Sequence, residues 1–302
     1  MKEGKCGVLI CSLCLLLAFS APALGQQKQE KPKPGAGAIM SDDQIKARAA
    51  AAKLEQLNME LFTAVDDQSA ATVLKLLAEG AQVNGRDRDG MTPLMHAALQ
   101  GSPELTQLLL GKGAVINLTD TFGVTALMQA AWAGHTQVVE MLVAQGADPN
   151  LQSVLETPRI KKAGINALMG ASMNGNLEVI RLLLDKDARL NQQDAQGQTA
   201  LMHASHQGYP QVVDLLLSKG AQTEIKDEFG RTALTIATIY GQFDVVCLLV
   251  SAGANVHTKD IHNMKPIVYA SALDHGDIYK YLQAAMARRP SSTQAGGFKR
   301  AP

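Results

Sequence analysis

The feature that most constrains this chain is a beat of 33 residues. Leu94, Leu127, Leu168, Leu201, Leu234 and Ile267 occupy the same place in recurring steps of the T-A-L or T-P-L kind, at intervals of 33, 33, 41, 33 and 33 residues. A second marker keeps the same intervals: Gly80-Ala81, Gly113-Ala114, Gly146-Ala147, Asp187-Ala188, Gly220-Ala221 and Gly253-Ala254. Two markers in register over most of the chain define a repeat. A unit this short cannot bury both faces of its own elements, so it must stack on its neighbours.

One copy, Asp120 to Asn150, reads DTFGVTALMQAAWAGHTQVVEMLVAQGADPN. Gly123 suits a positive-φ turn at a hairpin tip, where a Cβ is penalised. Thr125 opens a short helix with Leu127, Ala130 and Ala131 as its apolar stripe, and Gly134 stops it. Val138, Val139, Leu142 and Val143 recur at helical spacing in a second helix, which Gly146 caps. The order helix, turn, helix, hairpin resembles the ankyrin repeat over about residues 58–287. The resemblance implies an all-α helical repeat, an ankyrin-type solenoid of about seven helix-turn-helix repeats with hairpin fingers.

The flanks differ in kind. Lys2 and Lys5 precede an apolar run from Val8 to Phe19, and Ala23-Leu24-Gly25 reads as a small-residue cleavage site, so residues 1–25 are expected to be a secretory signal peptide. The run is shorter than the ~20 residues a spanning helix needs, and the mature chain is expected to start near Gln26 without a membrane segment. The Cys11-x-x-Cys14 spacing falls inside the removed segment, leaving Cys247 alone. Residues 26–40 read as a disordered linker and 288–302 as a disordered tail. Between them, 41–287 forms the repeat domain: a capping box at Ser41 and Gln44, a long first helix, a divergent repeat at 58–85, regular repeats over 86–257, and a degenerate last repeat at 258–287. There Tyr279, Tyr281 and Leu282 are expected to seal the stack.

Two departures from the family pattern stand out. The pattern T-P-L-H-x-A-A has a histidine after the leucine, where it helps bond one repeat to the next; here Met95, Met128, Met169 and Met202 take that place, replacing a polar link by thioether packing. The stripe reads as core and not as a copper site. The 41-residue interval holds an insertion at about 151–162, with Arg159, Lys161 and Lys162 at its base, which is either a contact loop or a tolerated surface insertion.

In ankyrin-like folds function lies on the concave surface made by finger tips and the exposed ends of the first helices. The matching residues include Arg88, Met91, Leu99, Phe122, Trp132, Met173, His206, Phe229, Arg231, Ile239 and Tyr240. The set is apolar and holds the single tryptophan, and Trp, Tyr and Arg dominate interface energetics. Trp132 and Phe122 could instead pack on adjacent repeats.

No nucleophile elbow, phosphate loop or H-E-x-x-H is present. His203 and His206 lie three apart on one helix with no third ligand in view, so neither metal nor cofactor is expected, and both read as surface histidines. With 28 basic and 28 acidic residues and no basic block in the repeats, nucleic acid is not an expected partner. The expected function is a non-catalytic protein-protein interaction scaffold acting in the periplasm or outside the cell, on a protein partner the sequence does not name. An exported effector or inhibitor of another cell is the alternative; a metal-dependent enzyme is the weakest. Cys247 falls where other second helices carry Gln107, Glu140, Arg181 and Asp214, so it is expected to face solvent. The chain is then a monomer, or a Cys247-linked dimer under oxidation.

Overall fold

The computed structural model describes residues 41–154 and 164–287. The expected signal peptide, linker and tail lie outside the described residues, as does residue 155 onward of the insertion, with Arg159, Lys161 and Lys162. The chain divides into a short unit, Met1–Lys46, and the repeat unit, Ala47–Pro302. Within the first, Ser41 and Gln44 form the expected reciprocal cap: the Ser41 N–H donates to Gln44 Oε1 at 3.0 Å and the Gln44 N–H to Ser41 Oγ at 3.3 Å.

Fourteen helices form among the described residues, and they come in pairs. The pairs are α1 (Asp42–Asp66) with α2 (Ala70–Ala78), α3 (Pro93–Gln100) with α4 (Pro103–Gly111), and α5 (Ala126–Ala133) with α6 (Thr136–Ala144). They continue as α7 (Ala167–Met173) with α8 (Leu177–Leu184), α9 (Ala200–Gln207) with α10 (Pro210–Ser218), α11 (Ala233–Ile239) with α12 (Phe243–Ser251), and α13 (Pro266–Ala272) with α14 (Gly276–Ala287). No strand forms among the described residues beyond one antiparallel bridge, Thr119 to Thr125.

The residue before each regular first helix sets where it begins. Thr92, Thr125, Asn166, Thr199 and Thr232 accept with their side chains the N–H three residues on, satisfying a donor the helix itself leaves open. First helices α3, α5, α7, α9, α11 and α13 stack one on the next, and the second helices form a parallel layer. The first-helix layer closes on small side chains: Ala97, Ala98, Ala130, Ala131, Ala171, Ala204 and Ala237 have no exposed surface. Leu94, Leu127, Leu168, Leu201 and Leu234 point into the same continuous core, as do Met95, Met128, Met169 and Met202. The methionine stripe is therefore core.

The polar link between repeats is not lost with the family histidine; other side chains make it. Asn84, Asn117, Asn150 and Asn191 each offer Oδ1 to a backbone N–H of the next repeat, at Val115, Asp148, Arg189 and Gln222, over 2.8 to 3.0 Å. At the start of the second helices His135 Nε2 reaches the Leu99 carbonyl at 3.0 Å, Asn176 Nδ2 the Ala131 carbonyl at 2.9 Å, and Gln242 Nε2 the His206 carbonyl at 3.2 Å. These side chains need the preceding glycine cap to be bare. A Cβ on Gly101, whose φ is +71°, would stand 2.3 Å from His135 Nδ1.

At the C-terminal end Leu282 is fully buried and Tyr281 half-buried, but Tyr279 is exposed, because α14 presents it away from α12. Cys247 departs from the expected solvent-facing placement: it is half-buried, since α14 brings Tyr281 against it. Burial pushes its thiol up, more than the Tyr281 hydroxyl lowers it.

Truncating Leu127 to Ala should lower the unfolding free energy by about 2–5 kcal/mol, because a cavity opens between rigid helices. Asn117→Ala should lower it by about 1 kcal/mol through the lost inter-repeat acceptor. Urea denaturation followed by circular dichroism measures both.

Candidate protein-binding surface

The fingers owe their shape to an aspartate that recurs with the repeat. Asp87, Asp120, Asp194, Asp227 and Asp260 each accept, on Oδ1, the N–H groups two and four residues on, at 2.8 to 3.0 Å. This closes the tip around its turn. In the longer repeat Ser153 takes the place of the aspartate, its hydroxyl accepting the Ile165 N–H at 3.0 Å. Neighbouring fingers are tied by backbone: Thr121 N–H to the Asp89 carbonyl, Val154 to Phe122, Glu228 to Gln196, and Ile261 to Phe229.

The other carboxylate oxygen, Oδ2, is usually occupied as well. His96 Nε2 lies 2.9 Å from that of Asp87, and His203 Nε2 2.9 Å from that of Asp194. Arg231 holds Asp227 through Nε at 2.8 Å and Nη2 at 2.7 Å, and the Tyr269 hydroxyl donates to Asp260. Burial raises the Asp260 carboxyl, but the Tyr269 hydroxyl and the Met264 and His262 N–H groups outweigh it, and the net shift is downward. His203, on α9, is accordingly a buried partner of a finger aspartate and not a surface histidine. His96 also meets Asp66 Oδ1 through Nδ1 at 3.0 Å, fastening α1 to the first regular repeat.

From this frame project the residues the sequence singles out. Leu99, Phe122, Trp132, Phe229 and Tyr240 are exposed by 40, 43, 43, 43 and 50%. Arg88 is exposed too. Met91, Met173, His206, Arg231 and Ile239 are half-buried and support the others. His206 lies edge-on to Tyr240 with ring centroids 3.9 Å apart, and the Arg231 guanidinium lies 4.7 Å over the Phe229 ring. Arg231 is thus committed to Asp227 and Phe229 and offers a flat edge more than a free charge. Met91 packs against the core.

Trp132 does two things at once. Its indole leans on the next first helix, where a Cβ on Gly170 would stand 3.3 Å from Cε3, yet nearly half of it stays open. The places equivalent to Gly170 hold His96, Gln129, His203, Ile236 and Tyr269, so the bare position is what lets the ring lie down. Sequence reasoning missed Ile261 and Leu273, exposed by 62 and 46%, which continue the row into the last repeat. Their register was legible: Ile261 falls 33 residues after Glu228 at a finger tip, and Leu273 33 after Tyr240. Phe243 is exposed on the second-helix layer, where it meets Tyr281 at 5.9 Å, outside this row.

Filling the gap tests the placement. Gly170→Leu should lift the Trp132 ring and shift the emission of this single tryptophan to longer wavelength, while circular dichroism stays unchanged because Ile236 already stands at the equivalent place. Steady-state fluorescence of the folded variant reads the outcome.

Two comparisons bear on this face. The family described as ankyrin repeats (3 copies) matches residues 61–153, 155–227 and 220–290. A comparison with curated proteins gives no match. The matched segments cover well over half of the chain and coincide with the stacked helix pairs and their fingers. The chain belongs to the ankyrin-repeat family, and its repeats form a protein-protein interaction scaffold.

Proposed function

We propose that this is a non-catalytic binding scaffold, acting outside the cytoplasm, whose partner docks on the face formed by finger tips and first-helix ends. One observation carries the reading: Leu99, Phe122, Trp132, Phe229 and Tyr240, all large and apolar, stay 40 to 50% exposed at the finger tips and first-helix ends. Exposed groups of that kind mark contact sites, and an aromatic anchor held in place loses little entropy on binding. The histidines and carboxylates of the fingers are largely spent on one another, which supports a structural rather than a catalytic role for them.

Export rests on the leader-like residues 1–25, with the mature chain starting near Gln26 and carrying no membrane segment; among the described residues no helix is long and apolar enough to cross a membrane. The alternative, an exported effector or inhibitor acting on another cell, uses the same surface. The half-buried Cys247, with its thiol raised, favours a monomer, and a Cys247-linked dimer forms only under oxidation.

Trp132→Ala should weaken partner binding by about 2 kcal/mol or more and leave the melting temperature nearly unchanged. The check is capture of partners by wild type and variant from periplasm and from culture supernatant, with a melt of each protein. Loss of stability as large as that of Leu127→Ala would place Trp132 in the core and remove the strongest residue of this surface. Mass spectrometry of the exported protein tests the leader: a mature N-terminus near Gln26 is expected, and a retained Met1 overturns it. On non-reducing gels the oxidised protein should run partly as a dimer that Cys247→Ser abolishes.

A further inference from the structure

The finger aspartates share one geometry, and one of them lacks a partner. His96, His203 and Tyr269 each stand nine residues after their aspartate, on the first helix, and fill its Oδ2. Nine residues after Asp120 stands Gln129, which makes no hydrogen bond to it, and the place from which Arg231 serves Asp227 is held by Val124. Oδ1 of Asp120 takes the Phe122 and Val124 N–H groups at 2.8 Å each, and no described residue donates to Oδ2. Asp120 is nonetheless only 9% exposed.

Its surroundings are also of the wrong sign for a carboxylate. Burial pushes the Asp120 carboxyl above its ordinary range, the N–H groups of Val124 and Phe122 draw it back, and the carboxylates of Asp87 and Asp89 push it further up. With no described side chain donating to Oδ2 and two like charges nearby, this carboxylate has an open acceptor that a donor from outside the chain can reach. One helical turn beyond Gln129 stands Trp132, 43% exposed, an aromatic side chain of the kind on which a cation or its aliphatic stem rests.

We propose that Asp120 is the acceptor for a basic side chain, arginine or lysine, of the partner that docks on this face, with the Trp132 ring packing against that side chain. The inference rests on the binding reading above and adds the chemistry of the partner's central contact. An arginine fits best: its planar guanidinium donates in pairs to a carboxylate and stacks on aromatic rings. The other finger aspartates do not compete for it, since their second oxygens already hold His96, His203, Arg231 and Tyr269.

The test uses the full chain and phage-displayed random peptides of about 12 residues, selected on wild type, with affinities measured for wild type, Trp132→Ala and Asp120→Asn. Asparagine keeps the acceptor for the Phe122 and Val124 N–H groups, so the finger stays closed. A carboxyl whose folded pKa is raised costs stability above that pKa, so at pH 7 the variant should melt at the same temperature or higher. Peptides that need Trp132 should share an arginine or lysine. Replacing that residue by glutamine should weaken binding about tenfold, Asp120→Asn should do the same, and both together should cost no more than either alone. Peptides that need Trp132 but carry no basic residue, or bind Asp120→Asn as tightly as wild type, overturn this inference and leave the binding face standing. If no selected peptide depends on Trp132, the binding face itself fails. The glutamine exchange on the peptide reads the same contact without altering the protein, so an unchanged affinity there refutes the contact even if Asp120→Asn folds poorly.

Discussion

Everything in this chain depends on the inability of a helix pair to bury itself. Each regular first helix spans only seven or eight residues, too short to be stable alone in water. It becomes stable by lying between two others. The contact is made through Ala97, Ala98, Ala130, Ala131, Ala171, Ala204 and Ala237, which bring backbones together and leave no exposed surface. Larger leucines and methionines fill the space between the two helical layers. A cavity at Leu127 is therefore felt in the repeats on either side, not in its own repeat alone.

Close stacking creates a second demand. Helix ends meet the next repeat, so the carbonyl and N–H groups left open there need partners. The asparagine ladder from Asn84 to Asn191 supplies acceptors at one joint, and His135, Asn176 and Gln242 supply donors at another. The ladder changes type at Glu224, whose carboxylate accepts from the Asn255 N–H and the Thr258 hydroxyl at 2.9 and 3.0 Å. Most of these polar links are side chain to backbone, and they fix the register of a stack whose buried methionines specify geometry only weakly.

The fingers turn that frame into a surface. Because each is closed on an aspartate and bonded to its neighbour, the aromatic side chains at the tips stand on backbone that is already ordered. Binding then costs less conformational freedom. Asp120 is where the pattern is incomplete: the finger is closed in the usual way, but the second oxygen has no donor. Its repeat also carries the exposed Trp132, one helical turn beyond Gln129.

The sequence by itself determined the repeat, the helix pairs and their boundaries, because the 33-residue beat, the threonine caps and the glycine stops are local and each has one structural meaning. It also determined which face would carry Phe122, Trp132, Phe229 and Tyr240, since equivalent positions in a repeat occupy equivalent places. Only the tertiary structure decided what crosses between repeats. That His203 is buried on Asp194, that Arg231 is held by Asp227 and Phe229, that Cys247 is half covered by Tyr281, and that Gly170 makes room for Trp132 all depend on residues far apart in the chain. The finger aspartates show the division most clearly. Their spacing is visible in the sequence, but whether the second oxygen of each finds a donor depends on which side chain the first helix sets opposite it, and that is a matter of packing in three dimensions.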